Sequence, residues 1–365
     1  MDKDEVVSNG AVSESEKHLI VDRMDMKLGN KGYLGKHELM IMDLLQNNHW
    51  KRPIYYAVTV GSDSYLSLGK YLSLEGMAYR VLPKTGGVLA RGGEYVNTER
   101  TYDNLMHKFK WGGIAENPDI YMDENNLRMT STLRYMFVRL CDALTKEAHQ
   151  AELEKDYCDV LRWALTQDPV KGPDNASYMG VYRAESRIYY DNDRISNGAA
   201  YSDSFLLASA RSVAAELLAV PVTTPINEMI DKLQAKSNSY DSVAVAKIVA
   251  EKYQKVENAL DYCQKVLPIP QIPYTTANLM MARNYMQIGK NEKSLAILDV
   301  MEKTSLQYLN WFSKLNPRML RNVKEDFTEQ LSVFAEILQM KQTMGIEDES
   351  RLDDYNLYMS IYKRL

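Results

Sequence analysis

A chain of 365 residues is too long for one ordinary compact core and predicts two or three units. Its 45% hydrophobic and 25% charged residues exclude a wholly disordered polymer. Its 44 basic against 49 acidic residues, a net charge of -5, argue against a protein that coats nucleic acid.

No run approaches the roughly 18–20 apolar residues of a membrane-spanning helix. The best candidate, Ala214 to Val222, is interrupted by Glu216 and Pro221. The opening Met1-Asp2-Lys3-Asp4-Glu5 carries the wrong charge for a signal peptide. Residues 1–18 are polar and rich in Ser and Glu, which predicts a disordered lead-in. Cys141, Cys158 and Cys263 lie far apart without a C-x-x-C pair, so buried thiols on helices are expected, not a zinc site or a disulfide framework.

Residues 19–28 alternate, with Ile20, Asp22, Met24, Met26 and Leu28 on one face, as in a half-buried strand. A Gly29–Gly32 turn leads to the dense apolar block 36–47, long enough for a helix. Pro53 opens the next strand, 54–60, rich in β-branched and aromatic residues. Tyr65, Leu68, Tyr71 and Leu72 fall at helical spacing, with Gly76 placed as a C-cap, and 77–82 reads as a further strand. Strands separated by helices predict a small, mainly parallel α/β domain over 19–125.

A helix is expected from Thr98, with Tyr102, Leu105, Met106 and Phe109 on one face, and Trp111-Gly112-Gly113 ends it. Beyond Asn126 the pattern is helical, so 126–365 is expected to be an all-α domain. Within it Ala282, Tyr285, Ile288, Gly289, Ser294, Leu298 and Met301 fall at the positions of a tetratricopeptide-like repeat, with Gly289-Lys290-Asn291 as the hairpin turn. Ala259, Cys263 and Val266 match the end of a preceding unit, and Leu161, Ala164 and Pro169 another. An irregular helical bundle is the alternative. The region from Lys171 to about Ser239 fits no repeat.

The residues offer little for catalysis. The loop Gly86–Gly93 is neither a dinucleotide-binding nor a P-loop pattern, and reads as a surface connection or a mobile lid. His18, His37, His49, His107 and His149 form no metal-ligand grouping, and no G-x-S-x-G elbow is present. Asp123-Glu124 suits a helix cap. No catalytic residue, metal ligand or cofactor site is assigned. The densest unusual string is Trp50-Lys51-Arg52-Pro53-Ile54-Tyr55-Tyr56. Trp50, Lys51, Arg52, Tyr55 and Tyr56 suit a sugar face, an anionic ligand or an interface. The bland reading has Trp50 covering the sheet edge and Arg52 paired to a carboxylate.

That string also carries a resemblance. Asn47-Asn48-His49-Trp50-Lys51-Arg52-Pro53-Ile54-Tyr55-Tyr56-Ala57 resembles a signature segment of the bacterial membrane family known as domain of unknown function 2723, itself similar to protein O-mannosyltransferases. Three later stretches, Tyr71–Pro83, Tyr102–Gly112 and Tyr121–Met129, extend the resemblance over about residues 20–165. It implies the soluble region that follows the membrane helices of such enzymes, on the periplasmic face of the inner membrane. The acidic catalytic residues of the family lie in a membrane part outside this chain, so none is carried over.

The resemblance therefore implies a non-catalytic accessory region for protein O-glycosylation. Its expected partners are acceptor proteins or the membrane-bound glycosyltransferase portion. A groove on the helical array, with Tyr274, Asn278 and Asn284 exposed, would hold an extended peptide. The alternatives are a stand-alone small-molecule or carbohydrate-active enzyme on the α/β domain, and a purely structural scaffold.

Overall fold

The computed structural model describes residues 1–26, 34–61, 64–84, 95–166, 211–239, 242–268 and 275–363, apart from positions 115, 118, 119, 212, 213, 216 and 219. Four short strands, β1 (Tyr55–Ala57), β2 (Leu72–Leu74), β3 (Ala78–Val81) and β4 (Tyr95–Val96), form one sheet in the order β1-β3-β2-β4. A helical array follows, as the composition of the second half predicts.

The sheet is mixed, not mainly parallel. β1 and β2 both pair antiparallel with β3, and only β4 runs parallel, alongside β2. The cause is the connection between β2 and β3. Glu75, Gly76 and Met77 alone join them, and so short a link permits only antiparallel pairing. Gly76 is therefore a hairpin residue and not a helix cap. Its φ of +97° favours glycine, and an added Cβ would lie 3.1 Å from the Phe109 ring.

Two sequence expectations give way beside the sheet. At 65–72 no α-helix forms. Leu66 and Ser67 adopt positive φ, a 3-10 turn covers Gly69–Tyr71, and Leu72 enters the sheet. The helical spacing of Leu68, Tyr71 and Leu72 reflects burial of all three, reached by another backbone path. Residues 19–26 supply one antiparallel bridge, Ile20 with Lys84. The neighbouring Pro83 accepts the Val21 N–H at 3.0 Å but has none to return.

Residues 1–18, expected as a disordered lead-in, are ordered too. Helix α1 (Lys3–Ser8) is capped by the Asp2 carboxylate, and a 3-10 helix spans Glu14–Leu19. Val6, Ala11, Val12 and Ile20 form a small core with Val7 and Trp50 packed against it. Apart from the exposed Met1, the few apolar residues of this polar stretch turn inward, which composition alone does not reveal.

Helix α2 (Lys36–Asn47) forms where the apolar block predicts it, and α3 (Thr98–Asp103) runs into a π-helical turn over Asn104–Lys108. The Gly-rich loop 86–93 lies outside the described residues, as does most of 171–239. Helix α4 (Glu124–Thr166) starts at Asp123, whose carboxylate accepts the Asn126 N–H at 2.8 Å, the capping role expected of it. Helices α5 (Ile226–Ser239) and α6 (Ser242–Val266) follow. Then come α7 (Thr275–Gln287), α8 (Asn291–Ser313), α9 (Pro317–Asn322), α10 (Lys324–Thr343) and α11 (Glu349–Tyr362).

The chain forms two compact units, each discontinuous in sequence: 1–109 with 142–255, and 110–141 with 256–365. In the second unit, α7 and α8 make a hairpin at Gly289, whose φ is +76°. Ala282, Tyr285, Ser294, Leu298 and Met301 are buried in it. Further along, Leu309, Phe312, Leu320, Phe327, Leu331, Phe334 and Tyr358 form one core, with Phe312 and Phe327 edge to face at 5.6 Å. Burying each such ring stabilises by roughly 1.5–3 kcal/mol. Cys141, Cys158 and Cys263 are all buried, and burial pushes the Cys263 thiol up to about 12.

Candidate functional site

The string from Trp50 to Tyr56 folds into a turn and a strand that separate its side chains. His49 and Trp50 are consecutive residues with φ of 47° and 58°. Two bulky residues in that region cost roughly 1–2 kcal/mol each. Side chains hold the turn in place. Asn9 Nδ2 donates to the His49 carbonyl at 2.8 Å, and Asn48 Nδ2 donates to the Arg52 carbonyl at 2.7 Å. The turn swings the Trp50 ring onto the Val6–Ile20 core and leaves Lys51 and Arg52 exposed. Among the described residues no carboxylate pairs with either cation. The expected Arg52 ion pair and the expected Trp50 cover of the sheet edge are both replaced: Trp50 anchors the N-terminal segment, and Arg52 faces solvent.

Strand alternation then divides the tyrosines. Tyr56 lies opposite Tyr79 and faces a packed ring cluster, with Tyr56 to Tyr65 at 5.3 Å and Tyr65 to Tyr79 at 6.1 Å. Burial raises the Tyr56 hydroxyl above its ordinary 10.0, and the hydroxyl has no hydrogen-bond partner among the described residues. Tyr56 is thus core. Tyr55 lies opposite Arg80 on the other face, 45% exposed.

On that second face a carboxylate gathers the neighbours. The Glu75 side chain is 3% exposed. Tyr55 Oη donates to Glu75 Oε2 at 3.0 Å, Arg100 Nη1 donates to the same oxygen at 3.3 Å, and Arg80 Nη1 lies 3.6 Å from Oε1. Burial and then Glu75 raise the Tyr55 hydroxyl above its ordinary 10.0. Asn104 Nδ2 donates to the Glu75 carbonyl at 2.9 Å, and Thr101 Oγ1 donates to the Leu74 carbonyl at 2.9 Å. A buried carboxylate is tolerated only when paired, and here two guanidinium groups and a phenol supply the pairing. The knot carries one anion against two cations, so it adds positive charge near Tyr55. It offers no free acid or base.

Sequence reasoning overlooked Glu75, Arg80 and Arg100. A signal was present: Glu75 and Arg80 are charges within the apolar-rich run from Leu72 to Leu82. Their partnership, however, depends on the hairpin.

Beside this turn, α2 shows an unusual surface. Ile41, Met42 and Leu45 turn partly inward, while Leu39, Met40 and Leu44 are 51%, 71% and 50% exposed on the other side. The segment that carries Lys51 and Arg52 therefore follows directly on a helix with three exposed apolar side chains, set among the exposed Lys36, Asp43 and Asn47.

Residues 1–100 match the family model TMEM260-associated domain 2. No curated protein and no solved structure matches the chain. The matched stretch holds α2, the His49–Trp50 turn, Lys51, Arg52, Tyr55 and the Glu75, Arg80 and Arg100 side chains. It also takes in residues 1–18, in keeping with their ordered packing. Among the described residues, no helix is long and apolar enough to cross a membrane, and no group of His, Cys, Asp and Glu could hold a metal ion.

The residues expected to line a peptide groove are elsewhere. Tyr274 lies outside the described residues. Asn278 and Asn284, expected exposed, are each 1% exposed. Asn278 Oδ1 accepts from Arg134 Nη2 at 2.7 Å, and neither amide atom of Asn284 has a hydrogen-bond partner among the described residues. Six residues set them about 120° apart around α7, and both are buried because that helix is covered on most of its sides. Arg134, also overlooked, is the organising group there. Its Nη1 donates to the Leu267 carbonyl at 2.6 Å, just past the end of α6, where a cation meets the negative pole of the helix.

Proposed function

We propose that this chain is a non-catalytic accessory region of a membrane protein, docking on it through the TMEM260-associated segment. The observation that carries the reading is the group of exposed apolar side chains on α2, Leu39, Met40 and Leu44, followed by the cations Lys51 and Arg52, which no carboxylate pairs among the described residues. Apolar residues so exposed favour a protein surface that removes them from water. The cations select an acidic rim and suppress wrong partners. The fitting occupant is the membrane-bound portion of a glycosyltransferase-like protein. The matched family model and the resemblance of 47–57 and three later stretches to domain of unknown function 2723 support that choice. Protein O-glycosylation on the periplasmic face of the inner membrane, with acceptor proteins held by the helical array, is the wider setting of this proposal.

The test is a photo-crosslinking residue at position 40 or 52 of the full chain in living cells. The expected product is a crosslink to an integral membrane protein, lost in the Leu39→Ser/Met40→Ser/Leu44→Ser variant and weakened in Lys51→Glu/Arg52→Glu. Crosslinks confined to soluble proteins, or unchanged in both variants, overturn the reading.

A further inference from the structure

The first unit contains a cavity of ≈ 230 Å³ against β2 and β4, remote in function from the docking face. Its polar walls are Glu16, Ser73, Lys84, Asn97, Thr98 and Glu147. A cavity of this size holds roughly seven water volumes, room for one six-membered ring with its substituents and too little for a nucleotide or a peptide.

The charges in the wall are already matched. Lys84 pairs with Glu16. Glu147 accepts from Thr98 Oγ1 at 2.7 Å through one oxygen and pairs with Lys252 through the other. No uncompensated charge is left to select an ion. What remains is hydrogen-bonding capacity of both kinds. Ser73 lines the cavity at 6% exposure, and a hydroxyl can both donate and accept. Asn97 uses its Oδ1 to accept the Arg100 N–H at 3.0 Å at the start of α3, which leaves its amide Nδ2 as a donor. The paired carboxylates keep lone pairs to accept, and Lys84 keeps N–H groups to donate. Hydroxyl groups are both donor and acceptor, so several of them on a neutral frame match such a lining. A carboxylate or ammonium ligand would face a like charge on at least one wall.

We propose that this cavity binds a neutral, polyhydroxylated small molecule the size of a single six-membered ring. The binding is independent of the docking surface, and Lys51→Glu/Arg52→Glu leaves it unchanged.

The experiment measures saturation-transfer NMR and calorimetric titration of the full chain with myo-inositol and methyl α-glucopyranoside, with acetate and inorganic phosphate as charged probes. Saturable binding of at least one neutral probe is expected, without binding of the charged ones. Ser73→Val fills the cavity and removes a hydroxyl, and it abolishes the signal. Asn97→Asp keeps the acceptor that caps α3 but loses the donor, and it weakens binding at least fivefold while the melting temperature holds. Absence of saturable binding by either neutral probe, preference for a charged probe, or binding unaltered in Asn97→Asp overturns the proposal.

Discussion

The Tyr55 hydroxyl donates to the Glu75 carboxylate across 3.0 Å, joining β1 to the hairpin turn between β2 and β3. β3 adds Arg80, and α3 adds Arg100. Two of the stretches that carry the family resemblance, 47–57 and 71–83, thereby meet at one buried carboxylate.

Removing that carboxylate exposes the cost of the arrangement. Glu75→Leu leaves Arg80 largely buried without its anion, while the mostly exposed Arg100 returns to water. We expect a loss of about 2–3 kcal/mol in urea unfolding, against about 1 kcal/mol for Tyr55→Phe. Equal losses from the two substitutions would contradict this picture.

Gly76→Ala is expected to destabilise the hairpin by more than about 1 kcal/mol, because both the positive φ and the Phe109 ring oppose a Cβ. Thermal unfolding reads it directly. Phe109→Leu in the same background relieves the steric part alone and restores only a fraction.

Arg134 is 1% exposed and has no carboxylate partner among its hydrogen bonds. Burial lowers its pKa from the ordinary 12.5. Truncation to Ala strands the Leu267 carbonyl and Asn278 Oδ1, for an expected loss of about 3–5 kcal/mol. Lys at this position reaches only part of the fork geometry and rescues little. The Arg134→Met/Asn278→Leu pair should cost less than the sum of its single changes, as a double-mutant cycle would show.

Acid should loosen the second unit through Glu257. Hydrogen bonds from Lys293 and Lys290 hold its carboxyl below the ordinary 4.5. A depressed folded-state value means the stabilisation is full above the unfolded-state pKa and is lost as pH falls through the folded one. Stability of the unit should therefore decline below about pH 4.5. Lys293→Met, monitored by circular dichroism across pH 3–7, should flatten that decline. An unchanged acid limb would remove Glu257 from the explanation.

Much of the second half was legible in the sequence. Gly289 between two apolar periodic runs marks a helical hairpin, and the Ala282–Met301 spacing identifies residues that do become buried. Those signals are local. Near the N-terminus they mislead, because strands of two to four residues carry too little periodicity to separate from turns. Tyr65, Leu68, Tyr71 and Leu72 show helical spacing on a path that is a bend, a 3-10 turn and a strand. Asn278 and Asn284 read as surface because asparagine is usually exposed, and only the placement of Arg134 makes an interior site for Asn278.

The sequence by itself determined that a small α/β part precedes a helical one, and that the string around Trp50 is unusual. These follow from composition and short-range periodicity, which act within a few residues. Tertiary structure alone decided that Trp50 turns inward, that Lys51 and Arg52 stay unpaired, and that Glu75 gathers Tyr55, Arg80 and Arg100. Those outcomes rest on contacts between residues far apart along the chain. The pairing of a buried charge is a property of the packed arrangement, not of any one segment.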